Sequence, residues 1–425
     1  MGGIMANYIQ REDYLNKLIA RRDNDEVKII TGPRRCGKSW LLKKIYKDYL
    51  LQHGVVEDEI IIVSFDMEDE TSDVDLSNRE ALKKYLYDRI TAEDKHYYVF
   101  LDEVQEVDGF EKIVNGLNAK ENVDVYITGS NSKFLSSDIN TLFRGRGDEV
   151  RVNPFSFKEF CTDRDESITE LWKEYYTYGG MPALRKFSSD EQKVSYLNRL
   201  WNKTYLDDVV ERNDLRRRDV LESLTDSLCS SVGSLSNANR IKNLLESVQR
   251  VKVDVTTVHN YIGYLQNAYL FEGAKRYDVK GNRYYDSIQK YYAVDVGLRN
   301  ARLNFRQQEL THIMENVVYN ELRCRGYAVD VGVVESRTMK DGKSTFSQHE
   351  IDFVITNGRE RAYIQSAYRM PDDEKREQEL YSLRKTGDSF KKIVIVGEDI
   401  APYTDAQGIQ YIGLFSFLLS SEKLL

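Results

Sequence analysis

Residues 27–40, VKIITGPRRCGKSW, decide how the fold is read. An apolar β-branched run, Val27, Ile29 and Ile30, flows into Gly32-Pro33-Arg34-Arg35-Cys36-Gly37-Lys38-Ser39, and a helical pattern follows from Trp40. The octet satisfies G-x-x-x-x-G-K-[ST] at every fixed position. Glycine is needed there because a curling backbone must aim successive N–H groups at phosphate oxygens, where any Cβ would intrude. The N-terminus of the next helix adds the positive end of its dipole. Lys38 is expected to neutralise the β- and γ-phosphates and the Ser39 hydroxyl to ligate Mg²⁺. Gly32 through Trp40 then line a site for ATP.

Four further strands are expected after the loop strand. Ile60 to Phe65 is a near-continuous apolar run of the kind a parallel strand buried on both faces requires. Tyr97 to Leu101 ends in Asp102-Glu103. Asp102 is expected to hold the Mg²⁺ shell and Glu103 to orient and deprotonate the attacking water. Val123 to Thr128 runs into Gly129-Ser130-Asn131-Ser132, where Asn131, with Ser130 second, is the expected γ-phosphate sensor; a simple Gly/Ser/Asn turn is the competing reading. Phe143-Arg144-Gly145-Arg146-Gly147 precedes a last strand at Glu149 to Val152. Its arginines are candidates for an arginine finger, Arg146 first, acting in cis or across a subunit interface; a plain surface loop is the alternative. Five strands separated by helices, with the ligand loop after the first, give a doubly wound parallel-sheet α/β domain.

The 425 residues exceed one ordinary core and point to about two to four domains. An apolar share of 41% and a charged share of 31% fit a soluble globular chain. No apolar run of about 18 residues occurs, so no membrane span is expected. The first 15 residues lack the apolar core of a signal peptide, and Ala6 breaks the myristoylation pattern. Cys36, Cys161, Cys229 and Cys324 lie far apart without flanking histidines, so neither a zinc site nor a disulfide framework is expected and the cytoplasm is the default. Cys36 is either a redox-sensitive thiol or a small side chain tolerated in the loop. A net charge of −8 excludes wholesale nucleic-acid coating and leaves room for a local basic patch.

Several stretches together carry a resemblance. They are Ile30 to Ser39, Tyr97 to Gln105, Ile127 to Ser136, Arg144 to Phe160, Tyr175 to Pro182 (YYTYGGMP), Lys290 to Leu298 (KYYAVDVGL) and Glu315 to Leu322. The chain resembles prokaryotic AAA-type ATPases that carry a C-terminal domain of unknown function, from about Tyr8 to Phe417. The resemblance implies ATP binding and hydrolysis with Mg²⁺.

Residues 161–228 read as a helical connector broken by Gly179-Gly180-Met181-Pro182. In 229–300 the order is short helix, turn, amphipathic helix and β pair, which is that of a winged helix, with Thr256, Thr257, His259 and Asn260 near the start of its recognition helix. Residues 240–290 hold nine Lys/Arg against five Asp/Glu, a modest footprint for duplex DNA; a lid or protein-docking module is the alternative. Residues 301–425 resemble a restriction-endonuclease-like core in Glu315 or Glu321 and in Asp352. They depart from it at Gln365, where an acid belongs, and at Ala367, where the lysine belongs, with Arg361 or Lys375 as conceivable substitutes. Metal ligation is then incomplete and nuclease activity is not expected.

The sequence is thus read as an ATPase domain (1–160), a connector (161–228), a winged-helix-like module (229–300) and an inactive nuclease-like domain (301–425). ATP hydrolysis would drive or gate a conformational change acting on duplex DNA or a protein partner, the latter including a second copy of the chain. The rival is a nucleotide-gated switch with negligible turnover. An ATP-powered DNA nuclease stands third.

Overall fold

The structure, a computed structural model, describes residues 8–65, 76–129, 143, 145–248, 250–340, 343–370 and 373–425. Two compact units divide the chain: Met1–Pro154 with Asn267–Tyr269, and Phe155–Gln266 with Leu270–Leu425.

The first unit is built on a five-stranded, all-parallel sheet. Its strands are β1 (Val27–Thr31), β2 (Ile60–Ser64), β3 (Tyr97–Asp102), β4 (Val123–Thr128) and β5 (Gly147–Arg151), in spatial order β2-β3-β4-β1-β5. Each strand expected from the sequence is present, and β4 lies between the loop strand and the acid strand. Alternate residues of β1 face opposite sides. Val27 and Ile29 join a core with Leu82, Leu86, Phe110, Ile113 and Leu117, whereas Ile30 joins Tyr14, Leu18, Leu41, Ile45 and Tyr46. Helices therefore cover both faces. The run Ile60–Ser64 is an edge strand, with Ile61 and Val63 buried and Ile60 and Ile62 half-buried.

One position breaks the apolar strand pattern. Lys28 is fully buried, and its ammonium pairs with Asp124, also buried, on neighbouring β4. Asp124 Oδ2 also accepts from the Tyr126 hydroxyl at 2.7 Å and the Asp23 N–H at 3.1 Å. The Tyr126 and Tyr46 hydroxyls share a further hydrogen bond of 2.6 Å.

The second unit opens with helices that the sequence starts in a repeated way. Ser156, Ser167 and Ser189 each cap a helix, and Glu159, Glu170 and Gln192 three residues on return the bond to the cap N–H. The helix Ile168–Tyr178 stops at Gly179, as the Gly-Gly-Met-Pro break implies. There the two resembling motifs meet. A Cβ on Gly179 would lie 2.2 Å from Asp295 Oδ1, and one on Gly297 would lie 1.8 Å from Tyr178 O. Asp295 accepts the Gly180 N–H at 2.7 Å and the Leu298 N–H at 2.9 Å, and Asn300 donates to the Tyr176 and Thr177 carbonyls. Both motifs are therefore explained by a close backbone joint.

Burial pushes the Asp295 carboxyl up to about 6, against the pull of its backbone N–H partners. A carboxyl raised in the folded state favours folding while protonated, so its contribution falls as pH rises from about 4 to about 6, by on the order of 3 kcal/mol. Urea midpoints measured across that window should show wild type losing stability relative to Asp295→Asn. A difference independent of pH would contradict the assignment.

The second sheet has nine strands, in the order β13-β14-β12-β11-β10-β9-β7-β8-β6. These are β6 (Leu235–Ser236), β7 (Phe271–Asp278), β8 (Arg283–Ala293), β9 (Ala328–Lys340), β10 (Lys343–Asn357), β11 (Glu360–Ala367), β12 (Lys391–Val396), β13 (Tyr403–Thr404) and β14 (Ile409–Gly413). Helices Arg218–Ser230, Ala238–Ser247 and Val255–Asn267 precede the β7–β8 hairpin, and β6 pairs with β8. The hairpin does not stand apart from the later strands. β7 pairs in parallel with β9 through Arg276 to Asp278, so strands assigned from the sequence to 229–300 and 301–425 share one sheet.

Candidate functional site

Parallel strands deliver their carboxyl ends to one edge of the sheet, where ligands of open α/β sheets bind. The Gly32–Ser39 loop follows β1 there, Asp102 closes β3 and Thr128 closes β4. Gly32 has φ 136°, and a Cβ on it would lie 2.0 Å from Val152 O, so only glycine fits. Gly37 and Arg35 also have positive φ, at 100° and 63°. Arg11 braces the loop from outside, donating to Cys36 O at 2.9 Å and Asn153 O at 2.8 Å. Cys36 is buried, its thiol against Val152 O and pushed up by burial. That favours the small-side-chain reading over a redox one.

Lys38 Nζ donates to the Gly32 and Pro33 carbonyls at 3.1 and 3.0 Å and lies 3.7 Å from Glu103 Oε1. Ser39 Oγ donates to Asp102 Oδ1 at 2.8 Å, and Thr128 Oγ1 donates to the same oxygen at 2.6 Å. Thr128 also accepts the Glu103 N–H at 2.9 Å, which ties the two acids together. Glu103 is left-handed at φ 56°, an uncommon state for a non-glycine residue that clusters at working sites. Gln105 Nε2 holds its Oε2 at 2.6 Å. Lys43 Nζ stands 2.7 Å from Asp102 Oδ2 and donates to Ser64 Oγ at 2.9 Å.

Of the expected residues, the structure gathers Gly32, Pro33, Gly37, Lys38, Ser39, Asp102 and Glu103. Arg34 is half-buried, Arg35 exposed, and Trp40 is 54% exposed with its ring edge-on to Tyr8. Asn131 and Ser130 lie outside the described residues. Arg146 lies away from the loop of its own chain. Its carbonyl accepts the Val27 N–H at the opposite end of β1, so about 13 Å of strand separates it from the loop of its own chain. Thr128, Lys43 and Arg11 were missed. Lys43 had a signal, falling four residues after Ser39 on one helical face. Thr128 had a weaker one, as the last residue of a strand placed between β1 and β3. In the second unit Glu315 and Asp352 meet, whereas Glu321 accepts from Arg325 at 2.7 Å. Arg361 donates to the Tyr277 hydroxyl instead of replacing the missing lysine.

The residues fit ATP with a hard divalent cation. The loop offers backbone N–H groups and an ammonium, and the Ser39 hydroxyl adjoins the buried Asp102 carboxylate, the oxygen donors Mg²⁺ takes. Bound Mg²⁺ would neutralise charge on the phosphates. The chain's own part is distinct from that. Lys38 offers an ammonium, Ser39 and Asp102 offer oxygens, and Thr128, bonded to both Asp102 Oδ1 and the Glu103 N–H, fixes the acid pair.

A five-stranded parallel sheet with this loop and these acids defines a P-loop ATPase domain. Residues 24–161 match the family model of the AAA domain, and residues 169–309 match a domain of unknown function (DUF8612). An uncharacterized protein of Haemophilus influenzae is 34% identical over 416 residues, spanning 97% of this chain and 98% of that protein. One from Methanocaldococcus jannaschii is 28% identical over 377 residues, spanning 85% and 78%. The chain belongs to this family of prokaryotic AAA-type P-loop proteins with a domain of unknown function after the ATPase domain. Solved structures show a distant likeness. The Aeropyrum pernix ORC1 protein in complex with DNA has a TM-score of 0.29 at 11% identity, covering 69% of this chain and 92% of that one. AMPPCP-bound DnaA from Aquifex aeolicus has 0.29 at 15%, covering 61% and 88%. Among the described residues, no helix is long and apolar enough to cross a membrane.

Proposed function

We propose that the chain hydrolyses ATP with Mg²⁺ and uses the cycle to change the conformation of a protein that engages duplex DNA. The observation that carries the hydrolytic part is the hydrogen-bonded set Ser39–Asp102–Thr128–Glu103 beside Lys38. A bare nucleotide-holding site needs the loop and the metal carboxylate; a second acid, strained and oriented toward the loop lysine, suits a water-activating base. Arg146 is then reserved for the site of a neighbouring copy.

DNA is the partner favoured by the second unit. The order helix, short strand, helix, helix, hairpin, with β6 against β8, is that of a winged helix. Thr256, His259 and Asn260 are exposed along one side of the helix Val255–Asn267, and Lys275, Lys280 and Arg283 are exposed on the hairpin. Residues 301–425 serve as a restriction-endonuclease-like scaffold without nuclease activity, since Gln365 and Ala367 stand where an acid and a lysine are needed.

The test is steady-state ATPase with and without duplex DNA at two salt concentrations. Stimulation that weakens at higher salt is expected, because phosphate contacts release counterions. A rate indifferent to DNA would remove DNA as partner and leave the hydrolysis itself standing.

A further inference from the structure

Strand β8, the helix Leu310–Cys324 and strand β10 send charged side chains to one interior point of the second unit. Lys290 Nζ lies 2.8 Å from Glu315 Oε1, 2.6 Å from Glu350 Oε1 and 3.5 Å from Asp352 Oδ1. Lys290, Glu315 and Asp352 are all buried, and Glu350 is the member that reaches solvent. The Tyr292 hydroxyl donates to Glu315 Oε1 at 2.7 Å, and the Ser366 N–H donates to Asp352 Oδ2 at 2.9 Å. Gln365 does not join the ammonium. Its Oε1 accepts the Asp352 N–H at 3.3 Å and its Nε2 donates to Glu379 Oε2 at 2.9 Å.

Carboxylates do not converge in a protein interior without a cation among them, because each left alone loses its hydration with nothing in return. A hard divalent ion is the common solution. Here an ammonium with three N–H donors occupies the centre, and it meets three carboxylates. Burial pulls the lysine's pKa down, but Glu315, Asp352 and Glu350 together outweigh that and raise it, so the ammonium stays charged. Burial pushes the Asp352 carboxyl up, with Glu315 adding to the push and Lys290 opposing it. With the ammonium in place, no group of three or more His, Cys, Asp or Glu among the described residues is arranged to hold a metal ion.

We propose that the Glu315–Glu350–Asp352 cluster is a cation site filled by the chain's own Lys290 ammonium, which closes it to divalent ions. The lysine missing after Gln365 is thus replaced in charge by one from a strand earlier in the chain. It takes the place of a metal ion and does not stand beside one. The acids are kept as a clasp between β8, β10 and the helix Leu310–Cys324.

Equilibrium dialysis of the full chain against Mn²⁺, without nucleotide, reads ions bound per chain. Every variant compared retains the ATP site, so differences report this cluster. Lys290→Ala is expected to bind one Mn²⁺ more than wild type, and adding Asp352→Asn is expected to remove it. Wild type and Asp352→Asn are expected to bind equal numbers. A wild type binding one ion more than Asp352→Asn would place a metal beside the lysine and overturn the proposal. A folded Lys290→Ala with no added ion would overturn it equally. Should Lys290→Ala fail to fold, the wild-type and Asp352→Asn pair decides.

Discussion

Alanine in place of Asp124 is expected to cost the first unit about 3–5 kcal/mol, the usual result of removing one member of a buried ion pair. Lys28 is fully buried on β1, and Asp124 pairs with its ammonium. Without the carboxylate a charge stays in the sheet interior, and the Tyr126 hydroxyl keeps only Tyr46. Domain stabilities are about 5–15 kcal/mol, so such a loss approaches unfolding. Removing both charges together, as Lys28→Met with Asp124→Leu, is expected to recover most of it, because the apolar pair has no desolvation cost. Urea denaturation of the three proteins reads this directly. Equal loss in the single and double variants would show that the pair is not the cause.

Glutamine at position 103 is expected to lower ATP turnover by about 10²–10⁴-fold, the typical worth of a positioned general base. The amide keeps the size of the side chain and can still meet Gln105, but it cannot take a proton. Loop, Lys38, Ser39 and Asp102 are untouched, so nucleotide binding should stay near wild type. Loss of binding together with turnover would instead mark Glu103 as a structural partner of Lys38, 3.7 Å away. Unchanged phosphate release with intact binding would remove the base assignment altogether.

Much of the first unit is legible because its signals are local. The loop is contiguous, β1 to β4 are largely apolar runs, and Asp102-Glu103 ends one of them. What escaped was set by register and topology. Lys28 and Asp124 each look like an interruption of a strand, and only the β1–β4 pairing shows that they cancel. Arg146 has the glycine-flanked setting of a finger, yet parallel strands put it at the edge opposite its own loop. Thr128 gains its role from β4 entering between β1 and β3. In the second unit the Gly179-Gly180 and Asp295–Gly297 motifs read as unexplained similarity until the backbones are seen to touch. Lys290 was invisible for another reason: nuclease-type patterns place the lysine after the third acid, whereas here it precedes the helical one.

The most direct measurement is a single turnover, with enzyme in excess over labelled ATP and Mg²⁺ present, followed by analysis of the bound nucleotide. The expected result is conversion of bound ATP to ADP and phosphate by wild type, arrested by chelation of Mg²⁺ and by Glu103→Gln. Recovery of intact ATP from a stable wild-type complex would contradict hydrolysis and identify a nucleotide-gated switch.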